Sequence, residues 1–118
     1  MKTIKFRIYD KQQNKMIESG ATPTMLESFF EYTAVLHTKD EMPYQQFTGL
    51  LDKQDKEIYE GDIVKGDWSI VNDIESGVVE FYGGAFRYKP AGLPLEFGYY
   101  RKECEIIGNI YQNPELIK

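Results

Sequence analysis

The sequence predicts a mainly β chain, α+β only by virtue of one short helix, and three observations carry that reading. Nine Tyr and seven Phe stand against one Trp in 118 residues, and aromatic side chains favour strands. Residues Thr3-Ile4-Lys5-Phe6-Arg7-Ile8-Tyr9 alternate with the period of a half-buried strand. From Gln46 onward the chain is a series of short apolar runs separated by Gly- and Asp-bearing turns.

In the first strand Ile4, Phe6 and Ile8 point one way and the cations Lys5 and Arg7 the other, toward solvent. Asp10-Lys11-Gln12-Gln13-Asn14-Lys15 is a polar turn, after which Met16-Ile17 returns as a short partner strand. Thr22-Pro23-Thr24-Met25-Leu26-Glu27 opens a helix. Proline suits the first helical position because it lacks the N–H that would go unpaired there, and Thr24 with Glu27 has capping-box spacing. Leu26, Phe29, Phe30 and Thr33 share one helical face, which predicts a helix over residues 23–32 packed on a sheet. The β-branched Thr33 and Val35 stop it early.

Residues 37–44 are polar, contain Pro43 and read as a loop. It separates an N-terminal subregion, residues 1–45, from residues 46–118 within a single domain spanning 1–118. Strands follow over residues 47–51, 58–59, 62–65, 77–82, 85–88 and 104–111. Gly83-Gly84 is a tight hairpin turn, since glycine adopts positive φ at little cost. Gly108 inside the last strand marks a bulge or bend, and Asn113-Pro114 ends it. The segment from Asp10 to Ile17 echoes that from Asp52 to Tyr59, the same turn chemistry used twice.

Bulk properties narrow the function classes. Fourteen Lys and Arg against 19 Asp and Glu give a net charge of -5. A phosphate-binding surface normally clusters cations, so this balance weighs against nucleic acid. The same acidity permits a basic protein partner, although its commoner role is to keep a protein soluble. The one cysteine, Cys104, excludes an internal disulfide. Neither a secretory signal nor an apolar run approaching the roughly 18 residues of a membrane span is visible. The expectation is a soluble cytoplasmic protein of a bacterial host cell.

Three blocks of sequence carry a resemblance: Ile4-Lys5-Phe6-Arg7-Ile8-Tyr9-Asp10; Phe47-Thr48-Gly49-Leu50-Leu51-Asp52 through Lys56-Glu57-Ile58-Tyr59-Glu60-Gly61-Asp62-Ile63-Val64; and Gly77-Val78-Val79-Glu80-Phe81 joined to the segment from Cys104 to Leu116. On these the chain resembles the YopX-like proteins of phages and prophages. The resemblance implies coiled β-sheets that include a small SH3-like barrel, here drawn largely from residues 47–111, and it carries over no catalytic residues. Residues 20–45 and 89–102 lie outside the matching blocks.

Candidate chemistry is sparse. His37 is the one histidine, and with one Cys it rules out a four-ligand structural zinc site. A Cys104–His37 nucleophile and base pair has the right residue types, but Cys104 opens the apolar run Cys-Glu-Ile-Ile, which favours burial and inertness. Glu57, Glu60 and Asp62 lie close together and have the chemistry for Mg²⁺; the simpler reading is a turn whose Asp caps backbone N–H groups. No enzymatic activity, cofactor or metal is expected. Aromatics and cations interleave at Trp68, Arg87, Tyr100 and Arg101, an arrangement suited to a binding surface. The plainer reading makes the aromatics of residues 82–88 half core and half surface of one hairpin. The leading expectation is a non-enzymatic phage or prophage accessory protein that acts by protein binding and self-association, a homo-oligomer with a host or phage protein partner. The alternative is a nucleic-acid-binding small β-barrel.

Overall fold

The computed structural model describes residues 3–34, 44–68, 73–89, 93–94 and 104–117. Most of these are in strands, with one α-helix, and the chain divides into two compact units, Met1–Phe47 and Thr48–Lys118. The loop expected at residues 37–44 falls, except for Tyr44, outside the described residues.

In the first unit β1 (Phe6–Asp10) lies between β2 (Lys15–Glu18) and the opening residues of β3 (Gln45–Leu51). The half-buried strand expected here differs from the structure in the burial of Arg7. The residue is buried, and its Nε donates to Gln45 Oε1 at 2.6 Å. Alternation marks which residues share a face, but it cannot show that Gln45 of the neighbouring strand lies beside Arg7. Ile4 precedes the strand and is exposed. The β1–β2 turn is organised by Asp10, whose Oδ1 accepts from the backbone N–H groups of Gln12 and Gln13 at 3.0 and 3.3 Å.

Helix α1 (Pro23–Thr33) has proline in its first turn, as the sequence requires. Its cap is Thr22, whose Oγ1 accepts from Met25 N at 3.2 Å, so the expected Thr24–Glu27 capping box does not form. Pro23 fixes the helix start and leaves the cap to the residue before it. Thr33 is the last helical residue; its hydroxyl donates to Phe29 O at 2.7 Å and also meets the Tyr44 hydroxyl at 2.9 Å. Phe29 and Thr33 are buried, and Leu26 is half-buried. Phe30 sits at the rim, its ring 5.5 Å from Phe6, 5.3 Å from Phe29 and 5.0 Å from Tyr44.

The second unit holds the rest of β3, then β4 (Glu57–Tyr59), β5 (Asp62–Trp68), β6 (Asp73–Tyr82), β7 (Ala85–Lys89), β8 (Leu93–Pro94) and β9 (Glu105–Asn109). The sheet order is β8-β7-β6-β5-β9. Four strands therefore meander in sequence and the fifth returns to pair with the first, the connectivity of a small SH3-like barrel. Ile58, Val64, Val79 and Cys104 form its core, with Leu50, Phe86 and Ile106 packed against them. Strand β8 has no signature in the sequence. It is two residues long, and its proline is tolerated because the strand is an edge.

Gly83 and Gly84 take φ of 63° and 80°, the two positive angles that a tight hairpin turn of this twist requires. Gly108 marks the expected bulge. Ile63 faces Gly108 while Val64 faces Ile106, leaving Ile107 as the extra residue. A Cβ on Gly108 would lie 2.7 Å from Asn113 Oδ1.

The β3–β4 turn repeats the Asp10 device and extends it. Asp52 Oδ1 accepts from Gln54 N and Lys56 N at 2.8 and 2.9 Å, while Oδ2 accepts from Ile106 N at 3.0 Å. Each turn also holds a non-glycine residue at positive φ, Asn14 at 52° and Asp55 at 64°. Burial by itself pushes the Asp52 carboxyl up; the backbone donors Ile106, Lys56 and Gln54, with the Lys56 charge, outweigh it and hold the carboxyl below the ordinary aspartate value.

Two outcomes follow. Phe29→Ala removes a buried ring and lowers unfolding free energy by about 3 kcal/mol in urea denaturation. For Asp52, the unfolded chain takes up its proton first as pH falls, so the stabilisation is present above the unfolded value and lost as pH drops through the folded one. Urea midpoints measured between about pH 6 and about pH 3 should fall for the wild-type chain. Asp52→Asn should start lower and fall less; an equally steep decline would assign the acid sensitivity to other carboxylates.

Candidate functional site

The sequence blocks that look most distinctive are occupied by the fold itself. Thr48 Oγ1 donates to Ile58 O at 2.7 Å, and Gly49 adopts φ 88°. Gly61, at φ 84°, donates its N–H to Val79 O and accepts from Ile110 N at 2.8 and 2.9 Å. Asp62 is buried, with Oδ2 accepting from Tyr59 N at 2.8 Å. That is the capping role expected of the Glu60-Gly61-Asp62 corner. Glu57 Oε1 accepts from the Tyr59 hydroxyl at 3.4 Å. Among the described residues no three His, Cys, Asp or Glu side chains converge as metal ligands would.

Asn109 closes the far end of the same framework. Its Oδ1 accepts from Tyr111 N and Gln112 N at 3.0 and 2.9 Å, its own N–H goes to Asn113 Oδ1 at 3.1 Å, and its Nδ2 donates to Gln112 Oε1 at 2.8 Å. Sequence reasoning gave this residue no role, although Asn directly after Gly in a chain-reversing segment is a recognisable Asx-turn signal.

Cys104 is buried in the apolar core. Burial first, then the negative charges of Asp52 and Asp62, push its thiol up to about 12. His37, the partner considered for it, lies outside the described residues. At neutral pH the Cys104 sulfur is therefore a protonated thiol packed among aliphatic side chains, an unsuitable nucleophile.

The β6–β7 hairpin carries one of the exposed apolar side chains among the described residues. Phe81 and Phe86 face each other across the ladder with ring centroids 5.0 Å apart and planes at 68°. Phe86 leans on the core, whereas Phe81 is 53% exposed. The pair is thus half anchored and half presented to solvent. Arg87 is paired across the ladder with Glu80. Its guanidinium folds toward the turn, within 3.5 Å of where a Gly83 side chain would begin. Trp68 ends β5 opposite Asp73. Along β6 that is seven residues from the Glu80 partner of Arg87, about 23 Å of strand. The backbone thus does not bring Trp68 and Arg87 together, and Tyr100 and Arg101 lie outside the described residues. No helix among the described residues is long and apolar enough to cross a membrane.

Comparison with known proteins agrees with the sequence blocks. The model of the YopX protein family matches residues 5–118. The crystal structure of protein EF1440 from Enterococcus faecalis is similar over 100% of both chains, with 25% sequence identity and a TM-score of 0.63. No curated protein matches the chain.

The state of Cys104 is directly measurable. At about pH 8 the thiolate fraction should be roughly a thousandfold below that of the unfolded chain. A thiol-specific chromogenic reagent should then react only at the rate of unfolding in buffer, and at once in denaturant. Rapid stoichiometric reaction of the native protein would contradict the burial.

Proposed function

Since the chain belongs to the YopX protein family, we propose that it is a phage or prophage accessory protein that works in the cytoplasm by binding rather than catalysis, both to further copies of itself and to a protein partner. One observation carries this reading: a phenylalanine 53% exposed, braced edge-on by a second ring rooted in the core. An exposed ring held rigidly loses little conformational freedom on binding and gains apolar burial, the profile of an interface anchor. The acidic balance of the chain supports a protein rather than a phosphate backbone as the partner. Arg87, the described cation nearest those rings in sequence, already sits opposite an acid.

Light scattering coupled to size exclusion tests the self-association. The wild-type chain should exceed monomer mass at high concentration, with little change as salt is raised, because apolar contacts are weakly screened. Phe81→Ser should weaken association at least tenfold while leaving the circular dichroism β-rich. A strict monomer would remove this arm of the proposal. Binding of oligonucleotides that falls steeply with salt and is lost in Arg87→Ala would favour nucleic-acid recognition instead.

A further inference from the structure

We propose that the outward face of α1 is a second docking surface, and that its occupant is a basic amphipathic segment of another protein. The inference rests on the reading that the chain works by binding. It concerns the first unit, whereas Phe81 belongs to the second.

Met25, Ser28 and Tyr32 stand at i, i+3 and i+7, so they line up as one stripe along the helix. All three are exposed, Met25 by 53% and Tyr32 by 60%. The helix is anchored by Phe29 and Thr33, which are buried, so the stripe is not what holds α1 to its unit. Met25 is nevertheless seated. A Cβ on Gly20 would lie 2.9 Å from both Cβ and Cγ of Met25 and closer still to its sulfur, so the thioether rests on backbone that only glycine leaves open. A side chain already held gives up little freedom on binding, and a thioether adapts to the shape laid on it.

Charge selects the occupant. Glu27 and Glu31 form the neighbouring row, four residues apart and both exposed. Helix α1 carries no cation, and neither carboxylate forms an ion pair among the described residues. A second α1 would bring two more carboxylates and no cation, on a chain whose net charge is already -5. A segment with Lys or Arg beside an apolar edge matches both rows. Its aliphatic residues cover Met25, its cations meet Glu27 and Glu31, and one of them can sit over the Tyr32 ring.

The probe is a fluorescein-labelled amphipathic peptide of leucine and lysine, with a leucine–glutamate peptide of the same pattern as control, titrated with the full-length chain by anisotropy. The lysine peptide should bind and the glutamate peptide should not, and the affinity should fall as salt rises. Met25→Ser and Tyr32→Ser should each weaken binding by at least about tenfold. Circular dichroism should hold in both, because the side chains are exposed. Glu27→Gln/Glu31→Gln should weaken binding and flatten its salt dependence. Phe81→Ser should bind the peptide as wild type does. Loss of peptide binding alongside intact Phe81-dependent self-association therefore strikes the α1 surface alone. No binding at high-micromolar protein overturns the proposal, as does binding that survives both serine variants or is lost in Phe81→Ser. Self-association abolished by Tyr32→Ser, with no peptide bound, assigns the face to a second copy and overturns it equally. Should a serine variant not fold, Glu27→Gln/Glu31→Gln decides: unchanged affinity and salt dependence refute the basic occupant.

Discussion

The Asp52 carboxylate ties together two segments 54 residues apart in sequence. It builds its own turn through Gln54 N and Lys56 N and fastens that turn to β9 through Ile106 N. Its burial carries a desolvation penalty, which three backbone donors offset. The strand it reaches is the one that returns to β5 and completes the five-stranded sheet. Core residues from both segments then meet, Leu50 and Ile58 on one side, Cys104 and Ile106 on the other. The sheet of this unit is thus held by apolar packing inside and by side-chain oxygens at its ends.

That arrangement gives the polar residues of the distinctive sequence blocks a structural role. Thr48, Asp52, Asp62 and Asn109 each spend their polar atoms on backbone groups that turns and strand ends would leave unpaired. Polar residues used this way are as demanding of identity as catalytic ones, because acceptor position and side-chain length are both fixed. Asp52 and Asp62 also sit near Cys104 and help keep its thiol protonated. The β6–β7 hairpin, by contrast, leaves a ring exposed, where Phe81 and Phe86 meet beside the Gly83-Gly84 turn.

The first unit is built on a different economy. Helix α1 contributes one aromatic face, and the rings of Phe6, Phe29, Phe30 and Tyr44 meet edge to face or tilted at 5.0 to 5.8 Å. Such contacts let few residues cover a three-strand surface. Arg7 is accommodated within it because Gln45 supplies an acceptor at the place where β3 begins.

The sequence by itself determined the local vocabulary: the mainly β class, the helix begun at Pro23, the paired glycines of the hairpin, the bulge at Gly108 and the two Asp-led turns. Each of these is written in residues near one another, where backbone sterics and short-range hydrogen bonds decide. Burial of Cys104 was legible too, from the apolar run it opens. Tertiary structure alone decided the strand pairings that no hairpin turn dictates. It buried Arg7 against β3, gave the helix cap to Thr22, added the two-residue β8, and joined Asp52 to Ile106. It also set the β6 partners of Trp68 and Arg87 seven residues apart. Those outcomes rest on contacts between distant segments, for which a linear pattern records the residues but not their pairing.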